Sequence, residues 1–160
     1  MDYQTTVSVD ETLTSKEKKE KKIFDQKPTA AFIGASWTAL LVAVTSYCIG
    51  LWNADMQLNE KGYYFTILLF GLFAVISLQK AVRDRLEGIP ISDIYYSLSW
   101  FSTSAAIILL VIGLWNADLF LSEKGFYGMS FLLSIFSAIA VQKNTRDIQY
   151  IDREKNEDKD

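Results

Sequence analysis

Apolar and polar positions are strongly segregated along this chain. Four long runs, 30–51, 63–78, 94–117 and 126–141, contain no Asp, Glu, Lys or Arg, while most charged residues crowd into 2–27, 80–93 and 143–160. A helix on a soluble domain would instead interrupt its apolar positions with polar ones every few residues. The first and third runs are long enough to cross a hydrocarbon core of roughly 30 Å as helices. The second and fourth have 16 residues each, just under the usual lower bound of about 17. Each follows a longer run through a short loop, eleven residues in the first case, which makes it the expected return leg of a hairpin. The pattern predicts four transmembrane helices in an all-α bundle. A cleaved signal peptide does not fit the first run, whose apolar stretch exceeds the about 7–15 residues of a signal core.

The Lys and Arg positions set an expected direction. Lys16, Lys18, Lys19, Lys21, Lys22 and Lys27 precede the first run, and Lys80, Arg83 and Arg85 lie between the second and third. Lys143, Arg146, Arg153, Lys155 and Lys159 follow the fourth, whereas the two hairpin loops hold one each, Lys61 and Lys124. Positive residues stay on the cytoplasmic side, so both tails and the middle loop are expected there, with the hairpin loops outside.

The loops are nearly the same text. GLWNADMQLNEKGYYF begins at Gly50 and GLWNADLFLSEKGFYG at Gly113, and 18 of 35 positions are identical between 50–84 and 113–147. The repeated unit is thus a whole two-span hairpin. Because it starts and finishes on one side, the two copies are expected to be parallel and related by a pseudo-twofold axis along the membrane normal, unlike inverted repeats. The expected organisation is a basic N-terminal tail (1–29), a first repeat (30–84), a linker (85–93), a second repeat (94–147) and a charged tail (148–160). The last nine residues are all charged except Asn156 and read as disordered.

Much of the loop motif reads as a turn at a membrane surface. Trp52 and Trp115 fall where amphipathic rings favour the interface. Asn59 and Ser122 are candidate N-caps, with Glu60 and Glu123 opening the returning helix and Leu58–Tyr63 and Leu121–Phe126 at staple spacing. Asn53, Asp55, Asn116 and Asp118 are left without a role in that account. They form, with Trp52, Glu60, Lys61, Trp115, Glu123 and Lys124, a candidate functional cluster if the two tips adjoin. At the other end Gln79, Lys80, Arg83 and Asp84 recur as Gln142, Lys143, Arg146 and Asp147. They suit a helix C-terminus and anionic headgroups, with Lys80–Asp84 and Lys143–Asp147 as i,i+4 pairs. Gly88 and Pro90 are expected to end the second helix, and Ser92 or Asp93 to cap the third. Within the spans, small-residue stripes at Ala31, Ala35, Ala39 and Ala43, at Ser99, Thr103 and Ala106, and at Ser130, Ser134 and Ala138 read as seams between helices.

Composition narrows the chemistry. Histidine is absent and Cys48 is the one cysteine, which removes His-based catalysis, an intramolecular disulfide and multi-cysteine metal sites. No cofactor or nucleic-acid partner is expected.

The duplicated G-L-W-N-A-D…E-K-G-[YF]-Y…Q-K…R-D hairpin resembles the YiaA/YiaB family of bacterial inner membrane proteins, which are built on a two-helix domain. The resemblance covers 36–147 in two copies and leaves the charged tails unmatched. It implies a multi-pass protein of the bacterial plasma membrane and implies no reaction.

The leading functional expectation is a non-enzymatic structural or interaction protein in contact with the lipid bilayer and with a membrane-protein partner or a second copy. Its basis is that no charged residue lies within a span, where such residues mark ion and proton routes. The alternative is a small transporter, channel or sensor in which Asp55, Glu60, Asp118 and Glu123 gather as hard ligands for a cation.

Overall fold

The computed structural model describes residues 28–157. The basic stretch of the N-terminal tail, with its expected headgroup contact, and the last three residues lie outside the described residues. Helices α1 (Ala30–Asn53), α2 (Leu58–Leu86), α3 (Asp93–Asn116) and α4 (Leu121–Glu157) follow in order. All four are long and apolar enough to cross a membrane.

Local chemistry explains where each begins and stops. Thr29, after Pro28, caps α1 by accepting the Phe32 N–H on Oγ1 at 3.3 Å. Helix α2 ends in a Schellman arrangement: Gly88 adopts φ 72°, its N–H reaches Arg85 O, and Ile89 N–H reaches Asp84 O at 2.8 Å. A positive φ is why glycine occupies that position. Ser92 holds the cap position of α3 in extended conformation, and Asp93 sits in the first turn, where the dipole favours a carboxylate.

The helices outrun the apolar runs. The two 16-residue stretches are the middles of helices of 29 and 37 residues, so the hairpin loops shrink to 54–57 and 117–120. The charged end of the chain is likewise helical through Glu157 rather than disordered. Extending a helix already formed adds one hydrogen bond for each residue fixed, and Arg, Lys and Glu are good helix formers. Ile151 is also buried, which ties this extension to the bundle.

The packing pairs helices across the repeats. Helix α1 lies mainly against α4 and α2 mainly against α3, with α2 and α4 meeting in between; the two helices of one repeat touch sparsely. Each repeat is therefore a hairpin by connectivity, while its main packing partners come from the other repeat. The core follows from this exchange: Tyr47 of α1, Leu68 of α2, Ala106 of α3 and Phe131 of α4 are all almost fully enclosed. Large apolar side chains such as Leu41, Phe73, Val111 and Phe136 point outward, as lipid-facing positions do.

Two of the three expected seams are present. Ser99 and Ala106 are buried on α3, and Ser130, Ser134 and Ala138 on α4. On α1 the buried positions are Ser36, Ala43, Tyr47 and Leu51, while Ala31 and Ala35 are exposed. The contact face of α1 runs through Ser36, Ala43, Tyr47 and Leu51, so Ala31 and Ala35 at the start of the helix lie off it. The hydroxyls mostly bond back to their own helix: Ser36 to Phe32 O, Ser99 to Tyr95 O, and Ser134 to Ser130 O. One side-chain hydrogen bond joins α4 to α1, from Asn144 Nδ2 to Ser36 Oγ at 3.2 Å, and it is buried.

Candidate functional site

Duplicated polar motifs stand at both ends of the bundle. At the tip end, the returning helices are capped by their third residues. Glu60 Oε2 accepts the Gln57 N–H at 2.9 Å, and Glu123 Oε2 accepts the Phe120 N–H at 2.8 Å. The caps therefore fall at Gln57 and Phe120 instead of Asn59 and Ser122, because a carboxylate at N3 satisfies an orphan donor and faces the positive helix end. Leu58 and Leu121 become first helical residues and stand exposed; they do not staple.

The asparagines also acquire a local role. Asn53 Nδ2 donates to Ile49 O and Asn116 Nδ2 to Ile112 O, both at 2.8 Å, each back-bonding to the i−4 carbonyl of its own helix. Lys61 Nζ reaches Trp52 O at 3.0 Å. Trp52 and Trp115 are 84% and 83% exposed, placed for an interface. Asp55 and Asp118 are exposed and take no side-chain hydrogen bond or ion pair among the described residues. Among those residues no three of His, Cys, Asp or Glu are grouped to hold a metal, so Asp55, Glu60, Asp118 and Glu123 are not brought together in that way.

What joins the repeats beneath the tips is aromatic, and the sequence reading missed it. Tyr64 and Tyr127, equivalent positions of the two repeats, stack on each other with centroids 6.1 Å apart. Tyr47 meets Tyr127 edge-on at 5.5 Å and donates its hydroxyl to Tyr64 O, and the Tyr63 hydroxyl donates to Leu109 O at 2.7 Å. This layer explains the first letter of the motif. A Cβ on Gly50 would stand 2.6 Å from the Phe126 ring, and one on Gly113 would stand 2.6 Å from the Tyr63 ring. A side chain at either glycine would have to displace that ring, and the ring in each case belongs to the other repeat. The signal available in sequence was the invariant second aromatic of EKG[YF]Y.

At the tail end, Asp84 and Asp147 pair with the preceding arginines. Arg83 Nη2 lies 2.6 Å from Asp84 Oδ1, and Arg146 Nη2 lies 2.9 Å from Asp147 Oδ1. The expected lysine pairs do not form: the guanidinium fork places two N–H groups on one carboxylate oxygen, which a single ammonium cannot. Lys80 and Lys143 are exposed. Gln79 is half-buried, and Gln142 turns a buried Oε1 inward without a hydrogen-bond partner. Arg85 approaches Asp93 at 3.9 Å and covers the Tyr96 ring at 4.6 Å, tying the linker to α3. Between the end of α2 and the extension of α4 lies an open cavity of about 650 Å³, bordered by Arg83 and Glu87 on one side and Arg146, Asp147 and Arg153 on the other. Arg83 and Arg146, equivalent residues of the two repeats, thus share one site.

The yiaA/B two helix domain family matches this chain twice, at residues 32–84 and 95–147. The chain belongs to that family. It is 55% identical over 128 residues to Inner membrane protein YiaA of Escherichia coli (strain K12), covering 80% of this chain and 87% of the relative. It is 35% identical over 65 residues to Uncharacterized membrane protein YubF of Bacillus subtilis (strain 168), covering 40% of this chain and 75% of that relative. No solved structure matches the chain. The resemblance drawn from the duplicated hairpin therefore holds in both copies. This member of the yiaA/B family is an all-α membrane protein with a repeated two-helix domain and four helices able to span the bilayer.

Proposed function

We propose that this protein works by association within the inner membrane, as a non-enzymatic scaffold whose partner is another membrane protein or a second copy of itself. The observation that carries this reading is how the polar groups of the tips are used. Glu60, Glu123 and Lys61 are engaged with backbone groups at helix ends, Asn53 and Asn116 bond back to their own helices, and no charged residue lies within the apolar runs. Among the described residues, neither an acid–base pair beside a nucleophile nor a charged conduction path is built from what remains.

In the same reading the repeats are parallel and related by a pseudo-twofold axis along the membrane normal. The mirrored contacts support it: Gly50 under Phe126 and Tyr127 has its counterpart in Gly113 under Tyr63 and Tyr64. Both termini and the linker are cytoplasmic, a direction supported by the Lys and Arg distribution.

The decisive experiment is crosslinking in intact membranes with identification of the captured proteins, which is expected to return one defined partner or the homodimer. Ion or solute flux through reconstituted vesicles, above that of protein-free vesicles, would overturn the scaffold. Orientation is read separately with single cysteines in a Cys48-free background. An impermeant reagent is expected to reach Gln57→Cys and spare Arg85→Cys; the reverse would invert the topology.

A further inference from the structure

We infer that the tail-end cavity is a binding site for a phosphate-bearing anion, held jointly by the two repeats through Arg83, Arg146 and Arg153. The three guanidiniums border one cavity, although they come from the end of α2 and from two positions of α4 about two turns apart. Arg83 and Arg146 are held in place before any ligand arrives. Each lays its Nε and Nη2 edge on the neighbouring aspartate oxygen, at 3.0 and 2.6 Å for Arg83 and at 3.2 and 2.9 Å for Arg146. Nη1 of each takes no part in those pairs. An arginine fixed by a carboxylate loses little further rotamer freedom on binding, which is the benefit of preorganisation.

The chemistry favours an anion with several oxygens. Guanidinium forks match phosphate oxygens in a plane, whereas an ammonium acts as a point charge. Gln149 and Tyr150, also on the border, add neutral donors. Of the two carboxylates there, Asp147 is occupied by Arg146, and Glu87 lies 3.7 Å from Arg83. Ile89 and Ile151 supply an apolar wall, suited to the carbon portion of a phosphate ester. The volume of about 650 Å³ falls within the roughly 300–1,000 Å³ of small-ligand sites.

Depth bears on the source of the phosphate. Arg83 and Arg146 each stand five residues beyond the ends of their apolar runs, at Leu78 and Val141. That is about 7–8 Å along a helix, at the level of lipid headgroups. An anionic lipid headgroup and a free phosphate compound present the same group to the arginines, and the experiment separates them. Lys80 and Lys143 are equally duplicated but do not border the cavity, so they serve as the control for diffuse attraction to anionic surfaces.

The test is a melting measurement on the full chain in neutral detergent, titrated in turn with phosphatidylglycerol, phosphatidylcholine and inorganic phosphate. Phosphatidylglycerol is expected to raise the melting temperature saturably, and Arg146→Gln or Arg153→Gln to weaken its apparent affinity at least about fivefold. The Lys80→Gln/Lys143→Gln double variant should keep the wild-type titration. A matching, arginine-dependent rise with inorganic phosphate supports the site and makes a free phosphate compound its ligand; a rise with phosphatidylglycerol alone makes it a headgroup site. Arg153 is exposed, so Arg153→Gln is expected to melt normally without ligand and carries the test if Arg146→Gln fails to fold. The inference is overturned by no saturable rise with either phosphate source, by an equal rise with phosphatidylcholine, or by equal weakening in the lysine double variant.

Discussion

The two ends of the bundle carry equally duplicated polar motifs and use them differently. At the tips, the polar residues of WNAD and EKG serve their own hairpins: asparagine amides bond back one turn and glutamates cap the next helix, while the contact between repeats there is aromatic. At the tails, Arg83 and Arg146 leave their own repeats and meet around one open cavity. Duplication alone therefore does not mark a binding site. A local turn is repeated because the hairpin is repeated, whereas a shared site requires equivalent residues to converge.

The strongest way to break the comparison is through its glycines. Gly113→Val drives a side chain into the Tyr63 ring and should destabilise by about 1–3 kcal/mol, the range for overpacking. Gly125→Ala meets nothing within 4 Å and should leave melting unchanged or raise stability by up to about 1 kcal/mol through helix propensity. Equal losses at the two positions would show that the cross-repeat aromatic layer is not what the motif's first glycine serves.

Next in size is the buried bond between Asn144 and Ser36. Asn144→Ala is expected to cost about 1 kcal/mol and no more, since Ser36 also bonds to Phe32 O and the equivalent of Asn144 in the first repeat is already Ala81. A loss well above that in chemical or thermal melting would give the polar contact a larger role than seam registration. Glu60→Ala and Glu123→Ala should each lose about 0.5–1 kcal/mol by removing a cap. If they instead melt like the parent, the tips' carboxylates are free for another role. The smallest effects belong to Asp55→Asn and Asp118→Asn, which should each stay within about 0.5 kcal/mol and add within about 0.3–0.5 kcal/mol in the double variant. Coupling beyond that, especially on adding a divalent cation, would restore a site shared between the tips.

The spans were legible because an uninterrupted apolar run has few alternatives in water. The repeat and its family were legible because the loop text is duplicated almost letter for letter. The caps were misplaced by two residues because Asn59 is intrinsically the better cap, and propensity does not register that Glu60 reaches back to the Gln57 backbone. The aspartate partners were missed because i,i+4 spacing ranks Lys80 over an adjacent arginine whose fork can fold back. The exchange of partners between repeats lies beyond any periodicity argument. A helical period identifies a buried face, such as that of Tyr47 and Leu51, and carries no information about which helix covers it. The tail-end cavity depends on that exchange and on the extension of α4, so it too was hidden.

Cross-repeat packing is the claim on which the rest depends, and a rescue experiment reads it directly. In membranes or detergent, the melting of Gly113→Val and Gly50→Val is measured alone and combined with Tyr63→Ala or Phe126→Ala. The account predicts that Tyr63→Ala relieves Gly113→Val and that Phe126→Ala relieves Gly50→Val, with coupling of roughly 0.5–3 kcal/mol, while the swapped combinations add. The opposite pattern, with Tyr63→Ala relieving Gly50→Val and Phe126→Ala relieving Gly113→Val, would mean that each hairpin packs on itself, and it would contradict the account.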